Sequence, residues 1–75
     1  MLNIVILTST APDLSIVTNA SHVFRRVRHK LSGIYMYEVV KNRSGRYGPG
    51  WIFNNTQLAQ YIHDITLEYV NGLND

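Results

Sequence analysis

Seventy-five residues with 45% hydrophobic and 16% charged side chains describe a folding chain, yet this length can bury only one small core. So short a chain leaves little volume for a deep substrate pocket, which argues against an enzyme. The absence of cysteine excludes disulfides and thiolate metal sites and fits a reducing, cytoplasmic setting.

Leu2 to Thr8 is rich in β-branched residues and apolar on both faces, the pattern of a covered central strand. The longest apolar run, Ile4 to Leu7, is far short of the ~18 residues that cross a bilayer, and no signal-peptide pattern accompanies it. Thr10, Pro12 and Asp13 offer a helix cap, a first-turn proline and a charge that complements the helix dipole. Leu14, Val17, Ala20, Phe24, Val27 and Leu31 then recur in steps of three and four. A helix is therefore expected from about residue 12 to residue 31, stopping at Ser32-Gly33. Thr18, Asn19 and Ser21 weaken its middle, which leaves two shorter helices as an alternative, the second starting at Ser21.

Ile34 to Lys41 reads as a strand with Tyr35, Tyr37 and Val39 on one face and Ile34, Met36 and Val40 on the other. Asn42 to Gly45 is turn chemistry that reverses the chain into a hairpin. Gly48-Pro49-Gly50 breaks the returning strand, which Trp51-Ile52-Phe53 resumes. Asn54, Asn55 and Thr56 are candidate caps for a closing helix that ends at Gly72. That helix places Leu58, Ile62, Ile65, Tyr69 and Leu73 on one stripe, flanked by Tyr61 and Val70. The expected fold is α+β: one domain over residues 1–75, a small two-layer βαββα arrangement with a three-stranded mixed sheet and two helices packed on one face. The first strand, first helix and strand 34–41 should make a right-handed parallel crossover, and the hairpin an antiparallel edge.

Charge departs furthest from the average. All seven Lys and Arg residues lie between Arg25 and Arg46, and Glu38 is the one acid among them. On a helix, Arg25, Arg26, Arg28, His29 and Lys30 would crowd its last two turns and complement the dipole. Lys41, Arg43 and Arg46 would ring the hairpin tip, and Tyr35, Tyr37, Tyr47 and Trp51 lie in or beside the stripe joining the two clusters. Basic residues interleaved with aromatics suit single-stranded nucleic acid, whose bases stack on rings. They equally suit a protein hot spot, where Trp, Tyr and Arg dominate. The uncovered face of the sheet should expose Tyr35, Tyr37 or Trp51, to a partner or to a second copy.

Other constellations carry less. Thr8-Ser9-Thr10 follows a strand, but without glycine or a lysine it reads as a helix cap and not a phosphate loop. His22 and His29 are two helical turns apart and His63 lies far along the chain, so no metal ligand spacing exists. Asp64 and Glu68 form a solvated acidic face, and no strained nucleophile elbow accompanies the serines and histidines. Gly33-Ile34-Tyr35 followed by Tyr47-Gly48 resembles the opening of GIY-YIG nucleases over about sixteen residues. Tyr47 and Gly48 are adjacent where that family has an intervening isoleucine, and no arginine follows in the next helix, so no family is assigned.

The expected function is binding without catalysis, metal or cofactor: a regulator or inhibitor that occupies a partner protein's surface. Small cysteine-free domains rich in Asn and Tyr look like phage or mobile-element accessory proteins that block a host machine. The partner-binding set is Arg25, Arg26, Arg28, Lys30, Tyr35, Tyr37, Lys41, Arg43, Arg46, Tyr47 and Trp51. The alternative is a nucleic-acid-binding module using the same basic stripe.

Overall fold

The computed structural model describes residues 2–8, 14–43 and 46–73. The capping roles expected of Thr10, Pro12 and Asp13, and the turn at Ser44 and Gly45, lie outside these residues. The order of elements is β1 (Ile4–Leu7), α1 (Leu14–Asn19), β2 (His22–Arg28), β3 (Tyr35–Asn42), β4 (Ile52–Phe53) and α2 (Asn55–Leu73). The four strands make one mixed sheet in the order β1-β2-β3-β4, with β1 parallel to β2 and the remaining neighbours antiparallel. The class is α+β, but the sheet has four strands where three were expected.

The extra strand comes from the segment read as the second half of a long helix. α1 stops at Asn19, where Thr18, Asn19 and Ser21 can satisfy the backbone locally instead of continuing the helix. Ser21 then ties the start of β2 to the first strand: its hydroxyl accepts from the Asn3 amide and donates to the Asn3 carbonyl, both at 2.9 Å. A helix through this segment would set Arg26 against Lys30 at i,i+4, a repulsive spacing. The strand alternates the charges between faces and places Arg25 opposite Glu38 on β3. Val23 and Phe24 are both fully buried although adjacent, which requires a strand covered on both sides.

That coverage corrects three further expectations. β1 is an edge strand, not a central one. Its parallel partner is β2, whereas the segment 35–42 runs antiparallel. The helices also lie on opposite faces. One core joins Phe24, Val39 and Phe53 to Leu58, Tyr61 and Ile65 of α2. The other joins Leu7, Ala20 and Val23 to Val5, Val17 of α1 and Val40. A register shift between Val23 and Phe24 leaves Val40 as an extra residue on β3, so Lys41 reaches the α1 side together with Val40.

α2 begins with a reciprocal cap: the Gln57 amide donates to the Asn54 side chain at 2.7 Å, and the Asn54 amide to the Gln57 side chain at 2.9 Å. Leu58, Tyr61 and Ile65 face the sheet as expected, but Tyr69, Val70 and Leu73 are exposed because the helix outruns the sheet. The Cα radius of gyration is 13.0 Å and the extents are 46 × 27 × 16 Å. About 11 Å would be usual for a compact chain of this length, so the molecule is drawn out. Among the described residues, no helix is long and apolar enough to cross a membrane.

Candidate partner-binding surface

The eleven residues of the expected site do not form one stripe. β3 spans eight residues, about 23 Å from end to end, and separates them into two groups. At one end the β2–β3 hairpin projects with Arg26, Arg28, Lys30 and Tyr35. At the other end, near the end of β3, Tyr47 and Trp51 lie toward the start of α2, while Arg43 and Arg46 lie beside Glu68 in its second half.

The hairpin tip is a hydrogen-bonded turn. The His29 amide donates to the Ile34 carbonyl and the Gly33 amide to the His29 carbonyl, both at 2.8 Å. Gly33 sits at φ +72°, a conformation that costs any residue with a Cβ. The side chains that this turn displays are apolar: Leu31 is 95% exposed and Ile34 61%. Beside them, the Arg26 guanidinium lies 4.4 Å from the centroid of the half-exposed Tyr35 ring. Strand pairing puts Arg26 opposite Tyr37 and Arg28 opposite Tyr35, so these four share the α2 face. Tyr37 itself packs against the core. Arg25 points to the other face, where Glu38 lies 3.9 Å away.

Two basic residues of the set are engaged elsewhere. Lys41 donates from Nζ to the Val17 and Thr18 carbonyls at 3.1 and 3.0 Å and so caps the C-terminal end of α1. Arg46 pairs with Glu68 of α2 and lies 5.6 Å from the Tyr61 ring. Trp51 (54% exposed) and Tyr47 (5.0 Å between centroids) wall a groove of about 430 Å³ whose floor is Phe53 and Tyr61. Asn42 holds this groove together by donating to the Tyr47 carbonyl and to the Tyr61 hydroxyl, both at 2.8 Å. Its rim mixes charge signs, with Arg46 and Asp64 both present.

Arg43 lies on a second groove of about 320 Å³, with Leu2, Ser21, His22, Ile65, Glu68 and Tyr69. His22 is buried at 5% exposure, and its Nδ1 lies 2.8 Å from the Ser21 oxygen. Its Nε2 atom is buried with no hydrogen-bond partner among the described residues. Burial, aided by the positive charge of Arg43, holds the His22 pKa below its ordinary 6.5.

Leu31 and Ile34 were missed as site residues because Leu31 fitted the apolar stripe of the expected helix and Ile34 a strand face. The signal was available in Leu31-Ser32-Gly33, which can close a turn between two β-branched runs as readily as it can end a helix. Among the described residues, no cluster of three or more His, Asp or Glu could hold a metal ion. No protein-family model, curated protein or solved structure matches this chain.

Proposed function

We propose that the protein is a non-enzymatic regulator or inhibitor that occupies a partner protein's surface through the β2–β3 hairpin. The observation that carries this reading is the hairpin tip. A turn closed by backbone hydrogen bonds displays Leu31 and Ile34 to solvent and surrounds them with Arg26, Arg28 and Lys30. Exposed apolar side chains on a constrained turn cost little entropy to immobilise on binding. They fit an apolar pocket, and the flanking cations call for an acidic rim around it. Arg26 stacked on Tyr35 joins two of the residue types enriched among energetic anchors at protein interfaces.

The nucleic-acid reading rests on the same three cations. Lys41 caps α1, Arg46 is paired with Glu68, Arg25 faces Glu38 on the other side, and Arg43 lies at the far end of β3 on the second groove. Three phosphate contacts predict a log–log salt slope of about −3.

The test is a quantitative pull-down from nuclease-treated lysate with the wild type, Leu31→Asp and the pair Arg26→Gln/Arg28→Gln. A specific protein retained by the wild type, lost with Leu31→Asp and weakened by the double change is the expected result. Retention that disappears with nuclease, or oligonucleotide binding at physiological salt with that slope, would overturn it in favour of nucleic acid.

A further inference from the structure

The two edges of the sheet are managed differently. β4 is two residues long and follows Gly48-Pro49-Gly50, so it offers little backbone for pairing. β1 has no such protection. Ile4–Leu7 contains no charge, no proline and no glycine, and among the described residues nothing pairs with its outer side. Natural proteins usually blunt such an edge with lysine, proline or a bulge.

The hydrogen-bond phase of β1 shows which groups are unused. The Asn3 carbonyl accepts from the Ser21 and His22 amides at 2.9 and 3.2 Å, so Asn3 faces β2. In a parallel pair the direction alternates residue by residue. Val5 and Leu7 therefore also turn toward β2, and the amides and carbonyls of Ile4 and Ile6 turn outward. Ile6 is in addition 42% exposed, an isoleucine beside an open ladder. Beside the start of β1, Tyr69 of α2 shares a groove with Leu2.

We propose that β1 is the seam of a homodimer in which the β1 strands of two copies pair antiparallel and join the two sheets into one of eight strands. The partner is a second copy because the edge is self-complementary. A two-fold axis perpendicular to the sheet brings Ile6 against Ile6, with Val5 opposite Leu7 and Ile4 opposite Thr8. Every pair keeps its side chains on a common face, and the outward groups of Ile4 and Ile6 meet matching groups. No like charges meet at the axis, since every basic residue lies at position 25 or beyond, outside β1. The strand is only about 13 Å long, so the association is weak and concentration-dependent.

The chain has no cysteine, which makes the register directly testable. Opposed antiparallel residues have Cβ atoms about 5 Å apart, near disulfide geometry. Ile6→Cys should oxidise to a linked dimer at least tenfold faster than Leu31→Cys at the hairpin tip. Sedimentation velocity of the wild type between roughly 1 and 500 μM should move from one to two chain masses, the range of a weak complex. Ile6→Lys, which sets two cations face to face, and Ile6→Pro, which deletes an outward donor and none that bonds β2, should both remain monomeric with unchanged circular dichroism. A wild type that stays monomeric throughout, or a dimer that persists in both variants, overturns the proposal. Leu31→Asp leaves this equilibrium unchanged, so failure of the hairpin reading and failure of the dimer are separable.

Discussion

His22 is a buried base whose charging the fold resists. Its pKa is lowered by burial first and by Arg43 second, so the native state holds the neutral ring. The stability that follows is fully present above the unfolded value of about 6.5 and is lost as pH falls below it toward the native value. Thermal unfolding from pH 8 to pH 5 should therefore show a falling midpoint. His22→Asn, which keeps a hydrogen-bonding group beside Ser21 but cannot titrate, should flatten that dependence. Lys41 makes a different case. Its two bonds to α1 carbonyls make it a structural cation. Lys41→Ala should cost about 1–2 kcal/mol, the usual range for hydrogen bonds from a partly solvated charge, measured by urea unfolding. Partner binding by the folded variant should not change, whereas Arg28→Gln should weaken binding and leave stability nearly untouched.

At the scale of elements, the hairpin and α2 respond to substitution in opposite ways. Gly33→Ala has room for its methyl, since the nearest group is the Arg28 guanidinium at 3.5 Å. Its cost is backbone strain at φ +72°, roughly 1–2 kcal/mol, and Gly33→Asn should recover part of it. Because that turn holds Leu31 and Ile34 in place, Gly33→Ala should weaken partner capture more than its stability loss explains. Asn54→Ala opens the reciprocal cap of α2 and should cost about 1 kcal/mol by the same denaturation measurement, with capture unaffected once folded.

Across the whole molecule, the two proposed contacts lie on different borders of the sheet. The charged hairpin extends along the strands, and the uncharged β1 edge lies to the side. Ionic strength should separate them. Added salt should slow association with an acidic-rimmed partner while leaving the β1 dimer equal or stronger, because electrostatic steering is screened and apolar burial is not. Association rates and sedimentation profiles at low and high salt check both expectations.

The α+β class was legible locally, as were the strand at residues 4–7, the strand near 35–41 and the closing helix, from a β-branched run, an alternating face pattern and a helical stripe respectively. Asn54 was one of three candidate caps, and the inward residues Leu58, Tyr61 and Ile65 belong to the expected stripe and its flank. The basic cluster was visible as composition, but the partners that consume Lys41 and Arg46 were not, since Val17 and Glu68 lie more than twenty residues away. Residues 22–28 were the decisive ambiguity. Val23, Phe24 and Val27 satisfy a helical stripe and a covered strand alike, and local propensity does not separate the two. The choice was made by tertiary structure: Ser21 bonded to Asn3, Glu38 facing Arg25, and apolar residues waiting on both faces of the sheet. The sequence by itself determined the first strand, the strand near 35–41, the closing helix and the lopsided charge. Only long-range pairing turned the basic segment into a hairpin, sent the helices to opposite faces and left β1 at the edge, because backbone pairing and burial are properties of neighbours that the chain brings together only on folding.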